Sequence, residues 1–382
     1  MKKRHLILYS FIFAMLVAIT SEIVTYQLTG NHLLNAQNIT NVKQPGSAAC
    51  STKPAPSIAP STDPQLKILP DYIQACNSGF ISDVMLFTNM PVSAPDAQKL
   101  ADAMSVRLKA FAAQNITPVV VVEPDSAWGL IDFKEYASGL YDDANKAFFD
   151  RLKANGITEE SLGIWMPFPE PQQTFWNNNA NPDDYAANIN RYFTIVRAHY
   201  PHAKTAILLD SQVSGTGTAS QLLAYTRLID PNLVSIAGLQ GFPWYPSESG
   251  DKRQPIVSAD KFAPASLLKE VAKSLNTKDV FLNTGTFRHK LTQNGGEVAL
   301  SNEQREQSLD SIVGQAKDLR HNGYNVTVNI FAENKITTKE GTDWSYWEPG
   351  NYKKSAGTAL FTRFVRALTD SSVSISLYDS RN

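Results

Sequence analysis

From about residue 65 to residue 382 the chain repeats one unit: a short apolar run of strand length, then a longer stretch with apolar residues at helical spacing. No other feature constrains the fold as much. Parallel strands cannot be joined by tight turns, so each needs a crossover of a dozen or more residues, usually a helix. Strand-like runs fall at residues 83–89, 117–123, 162–168, 205–210, 233–239, 279–283 and 325–332. Helices are expected over 94–114, 143–155, 183–199, 218–228, 263–275, 302–322 and 352–368. The first of these carries Leu100, Met104, Leu108 and Phe111 on one face. Seven strands are plain, and an eighth, first in order, is expected within residues 66–80. The reading is α/β, a (β/α)8 TIM barrel. An open doubly wound sheet is the alternative, disfavoured because no strand leads into a glycine-rich phosphate loop.

The N-terminus reads differently. Met1-Lys2-Lys3-Arg4 is basic, residues 6–20 are almost unbroken apolar, and Glu22 follows. That run is short for a membrane span and normal for a signal-peptide core. Residues 1–28 are therefore expected to be a signal peptide or a signal-anchor helix, since no small-x-small cleavage site stands out. By the positive-inside tendency the rest is exported, secreted or held at the cell membrane by that helix. Residues 29–66, with SAACSTKPAPSIAPSTDP, cannot bury a core and form a disordered linker. The barrel then occupies residues 67–382. The two cysteines are Cys50 and Cys76. Export permits a disulfide between them, with two free thiols as the alternative. Their number and spacing exclude a cysteine-based zinc site.

A formal net charge of −1 gives no reason to expect a nucleic-acid partner. The six histidines show no metal spacing, and no cofactor is expected. A membrane enters only through the N-terminal segment, and the protein is expected to be a monomer.

Chemistry in such a barrel sits at the C-terminal ends of the strands. Those ends carry Glu123, Glu170, Asp210-Ser211-Gln212, Gln240 to Tyr245, Asn283-Thr284-Gly285-Thr286 and Glu333-Asn334-Lys335. Carboxylate pairs suit glycosidic hydrolysis, where one donates a proton to the leaving oxygen and the other attacks carbon or activates water. Indole and phenol rings stack on sugar faces. Trp128, Phe175, Trp176, Trp244, Tyr245, Trp344 and Trp347 fall in the expected loops, and Trp165 is the one tryptophan in an expected strand. For any single ring, a loop anchor is the plain alternative. In LGIWMPFPEPQQTFW, Glu170 stands between Pro169 and Pro171, on the strand face of Ile164, Met166 and Phe168 by alternation. In residues 325–333 the series Thr327, Asn329, Phe331, Glu333 is the more polar and is expected to face the barrel axis.

Several of these segments, in order, resemble glycoside hydrolase family 26, a barrel family that includes β-mannanases. They are VVVVEP (119–124), ASGLYDDANKAFFDRLKANG (137–156), WMPFPEP with its later Trp176, NPDDYAANINRYFTIVR (181–197), and VNIFAENK with DWSYW (328–347). The resemblance makes residues 162–168 the fourth strand and Glu170 the proton donor. It implies a β-linked polysaccharide or oligosaccharide partner, mannan- or glucan-type. Where the family has His before that glutamate and Met-Asn-Gly after it, this chain has Pro169 and Pro171-Gln172-Gln173. The family's nucleophilic glutamate ends strand seven, and KDVFLNTGTFR (278–288) offers Asn283 or Thr284 there.

Three explanations stay open. The second carboxylate has moved to Glu333, Asp210 or Glu123, with an inverting mechanism as one outcome. The domain binds glycan without cleaving it. Or the strand numbering differs. The expected catalytic residues are Glu170 and Glu333. The expected substrate-binding residues are Trp128, Gln172, Trp176, Asp210, Trp244, Tyr245, Asn283 and Trp344.

Overall fold

The computed structural model describes residues 66, 76, 81–126, 129–172, 181–211, 219–243, 259, 262–287, 289–291, 297–331, 341–343 and 358–378. The expected signal and linker segments lie outside them, apart from Leu66. Among the described residues no helix is long and apolar enough to cross a membrane. Cys76 is buried and disulfide-bonded, and Cys50 is the chain's only other cysteine.

Eight parallel strands close into a barrel. In chain order they are β1 (Asp83–Asn89), β2 (Thr117–Glu123), β3 (Ile164–Pro167), β4 (Lys204–Asp210), β5 (Ile236–Gln240), β6 (Asp279–Thr284), β7 (Asn325–Phe331) and β8 (Ser374–Tyr378). Each pairs with its sequence neighbours, and β8 returns to pair with β1. The crossovers carry the helices α1 (Ala94–Ala112), α2 (Asp142–Ala154), α3 (Pro182–His199), α4 (Ala219–Thr226), α5 (Pro264–Ser274), α6 (Asn302–His321) and α7 (Thr358–Thr369). Ser93 caps α1 by accepting from the Asp96 N–H, and Ser301 caps α6 by accepting from the Gln304 N–H.

One expectation is corrected here. The barrel closes without any strand from residues 66–80, because Ser374–Tyr378 supplies the eighth. The strand before Glu170 is therefore the third, the strand before Asn283 the sixth, and the strand running toward Glu333 the seventh. The last strand does show period-two alternation, Val373, Ile375 and Leu377 against Ser374 and Ser376, but its inward positions are serines, so it lacks the continuous apolar run of most of the other strands.

The barrel interior is filled by Met85, Val119, Val121, Met166, Ala206, Leu208, Ile236 and Phe281, with Phe87, Ile164 and Phe331 packed on them. Alternation then puts Asp210, Gln240, Asn283 and Asn329 on the same inner face. Outward residues meet the helices: Trp165, fully buried, lies 5.8 Å from Phe148 and 5.1 Å from Phe149 of α2, ring centre to ring centre.

Five helices end alike. Asn115, Gly156, Asn276, Gly323 and Ser372, just past α1, α2, α5, α6 and α7, take φ of 56°, 77°, 50°, 81° and 59°. The next residue donates its N–H back into the helix: Ile116 to Phe111, Ile157 to Leu152, Thr277 to Ala272, Tyr324 to Leu319 and Val373 to Leu368. Among the described residues, two other non-glycines have positive φ, Phe168 (50°) and Glu170 (53°). Neither ends a helix.

Candidate active site

The C-terminal mouth is organised by what happens after β3. Gly163, just before that strand, takes φ 75°, ψ −149°, a conformation open essentially to glycine alone. Added there, a Cβ would sit 2.1 Å from the Pro118 carbonyl oxygen. Ile164 and Met166 point into the barrel. Phe168 does not follow them. Its ring lies 5.3, 4.8 and 6.3 Å from those of Phe133, Tyr136 and Tyr192, on the helical side. The expectation that Phe168 shares a face with Ile164 and Met166 is thus corrected: a left-handed φ just before proline rotates the chain out of the strand.

The hydrogen bonds record the same rotation. Phe168 donates its N–H to Val122 O of β2 (3.0 Å), whereas Glu170 donates to Leu208 O of β4 (2.7 Å). In a regular strand N–H groups two residues apart point to the same neighbour. Here they point to opposite ones, with Pro169, which has no N–H, between them. Two left-handed non-glycine residues cost roughly 1–2 kcal/mol each. The burial of Phe168 among three aromatic rings and the Glu170 backbone bond hold them in place.

Glu170, half-buried, is thereby carried onto the end of β4. Gln172 ties the junction: its Oε1 accepts from the Asp210 backbone N–H at 3.1 Å, and its Nε2 is buried without a hydrogen-bond partner among the described residues. Asp210 is 4% exposed and lies on the inward face in line with Ala206 and Leu208. The structure thus brings Glu170, Gln172 and Asp210 together at adjacent strand ends. Glu123, the last residue of β2, is half-buried at the same mouth.

Asn283 lies lower, 1% exposed, with both ends of its carboxamide engaged. Its Nδ2 donates to Gln240 Oε1 at 2.5 Å, and its Oδ1 accepts from Asn329 Nδ2 at 2.5 Å. Asn329 Nδ2 also faces Met85 Sδ at 3.8 Å. Gln240 and Asn329 were not singled out from sequence as site residues. The signal lay in the inward series, which carries an amide near the C-terminal end of β5, β6 and β7 alike.

Above the mouth, His289–Leu291 pairs antiparallel with Glu297–Ala299 on one side and Gly341–Asp343 on the other. This sheet joins the segment after β6 to the segment after β7. Beneath it Phe242, Phe287, Val298 and Leu300 pack with Phe331, the Phe242 and Phe331 rings meeting edge-on at 5.2 Å. Glu333, Trp128, Trp176, Trp244, Tyr245 and Trp344 lie outside the described residues.

No family model and no curated protein sequence matches the chain. Solved structures do match. Superposition on the family 1 β-glucosidase of Thermotoga maritima gives a TM-score of 0.51 at 13% identity, over 81% of this chain and 86% of that one. An exo-β-1,4-mannosidase from an Opitutaceae bacterium gives 0.53 at 14% identity, over 81% of this chain and 56% of that one. At such identities the likeness is one of fold: this chain has the closed eight-stranded barrel, ringed by helices, on which those glycoside hydrolases are built.

Proposed function

We propose that the protein hydrolyses β-glycosidic bonds in an extracytoplasmic polysaccharide, with Glu170 as general acid/base. The observation that carries this reading is the strained turn that holds Glu170 beside Asp210 at the C-terminal mouth. Backbone strain of that kind concentrates at functional sites, and the C-terminal mouth is where barrel enzymes do chemistry. A glycosidase needs a second carboxylate. Glu333, two residues beyond β7, is the partner proposed, and Asp210 a substrate-binding acceptor. The strand count supports Glu333, since the family 26 pattern puts its nucleophile after strand seven. The same count places the donor after strand four, whose end here is Asp210. Glu170 reaches that strand end from β3 through its backbone bond to Leu208.

The non-hydrolytic reading depends on Asn283 standing where a nucleophile is required. Asn283 belongs to the sixth strand and is buried, so that argument falls away. The mannanase-like character, the family 26 relationship and export by residues 1–28 are parts of the same proposal.

The test is to incubate the purified protein and its Glu170→Gln variant with β-mannan, β-glucan, xylan and galactan, scoring binding and reducing-end release separately. The expected result is release from at least one polymer, lost in the variant while binding persists. Undiminished release by Glu170→Gln overturns the assignment.

A further inference from the structure

On five consecutive strands the register runs through buried polar residues, descending from the C-terminal mouth into the barrel interior. Asp210 is the register partner of Gln240, Gln240 of Asn283, Asn283 of Asn329, and Asn329 of Ser376. Their exposures are 4, 7, 1, 0 and 0%. Burying so many polar groups is costly unless they are paired, and here Asn329 Oδ1 and Ser376 Oγ stay without a hydrogen-bond partner among the described residues. Three of these residues form a relay that runs in one direction. Asn329 turns its NH2 group to Met85 Sδ at 3.8 Å, a sulfur that accepts but cannot donate. The same Nδ2 meets Asn283, which must answer with its oxygen. Asn283 then turns its own NH2 to Gln240, which must also answer with oxygen. Gln240 is left with its NH2 as the end of the relay, at the last residue of β5, next to Asp210 on β4.

From this we infer that Gln240 is a substrate-binding donor, and that Asn283 and Asn329 are positioning residues that hold its carboxamide with Nε2 toward the mouth. Gln240 then offers a hydrogen-bond donor beside the Asp210 acceptor, a pair suited to neighbouring hydroxyls of one sugar ring. The choice matters for specificity because a carboxamide free to turn over would accept as readily as it donates. A locked one rejects a sugar whose oxygen at that position cannot accept. The inference rests on the proposed glycan-binding cleft and adds to it the residue that reads a hydroxyl.

The experiment uses the full chain with Glu170→Gln, so that ligand is not consumed. Binding of β-1,4-linked mannopentaose, cellopentaose, xylopentaose and galactopentaose is measured by calorimetry. Gln240→Glu keeps the shape and the bond from Asn283 but removes the donor. Asn329→Leu breaks the relay while leaving Gln240 in place. Each is expected to weaken the pentaose that binds by about fivefold to tenfold, the worth of one hydrogen bond. The double variant should bind no more weakly than Gln240→Glu alone, because both changes remove the same donor. A merely structural role for Asn329 would give additive losses. Unchanged affinity in Gln240→Glu, or additive losses in the double variant, overturns the inference. Binding of no pentaose by the Glu170→Gln parent overturns the glycan reading itself, and the inference with it.

Discussion

The Gln172 side chain accepts a hydrogen bond from the backbone N–H of Asp210 at 3.1 Å, across the gap between the third and fourth strands. This contact makes one unit of two segments that are 38 residues apart in sequence. It places a half-buried glutamate and a buried aspartate at neighbouring strand ends, and several consequences can be measured.

General-acid assistance matters only when the leaving group needs a proton. Glu170→Gln is therefore expected to lower hydrolysis of polysaccharide by about 10²–10⁴-fold. Turnover of a 2,4-dinitrophenyl β-glycoside, whose phenolate leaves unprotonated, should fall far less. Comparing the two rates by steady-state kinetics checks the role, and equal losses on both substrates would contradict it.

Strain at Glu170 should be visible as stability. Asparagine tolerates the left-handed region better than glutamate, so Glu170→Asn is expected to raise stability by about 1 kcal/mol while removing activity. Ser372→Gly, at φ 59° past α7, is the control: it should give a similar gain with activity intact. Urea denaturation of both variants measures this.

Gly163→Ala meets the Pro118 carbonyl oxygen at 2.1 Å, so either β2 or β3 must move. A loss of about 3 kcal/mol or more is expected from backbone strain and displaced pairing. Thermal unfolding should show it, with activity falling in parallel because β3 carries Glu170.

Asp83 lies at the opposite mouth, lining a cavity of 680 Å³ with Ser82, Thr117, Lys204 and Asp279. Burial raises its pKa from 3.8 to about 6, partly offset by hydrogen bonds from Ser82 and Thr117 and by the Lys204 charge. A carboxyl with a raised folded-state pKa binds more protons folded than unfolded between those two values. Its contribution is then fully favourable below about pH 4 and is lost as pH rises through about 6. Asp83→Asn should therefore stabilise the protein by about 2–3 kcal/mol at pH 8 and by much less at pH 4. Denaturant unfolding at the two pH values decides it, and an equal effect at both would refute it.

Much of the fold was legible because its signals are local. The apolar runs of β1, β2, β4, β6 and β7 could be read directly, as could the helical spacing of α1. So could the inward direction of Thr327, Asn329 and Phe331, since strand alternation needs no partner. The strand count was not legible. Ser374–Tyr378 alternates apolar residues with serines that face the barrel, a weak local signal, and its place as the closing strand is set by pairing with β1 and β7.

The same division runs through the site. The sequence by itself determined that a proline-bracketed glutamate follows an apolar strand and that amides and carboxylates gather at strand ends. Only the tertiary structure decided that Phe168 leaves its strand face, that Glu170 reaches the fourth strand, and that Asn283 is a buried link between Asn329 and Gln240. The physical reason is that alternation is a property of consecutive residues. Cross-strand register and left-handed turns are set instead by packing and hydrogen bonds between residues far apart in the chain.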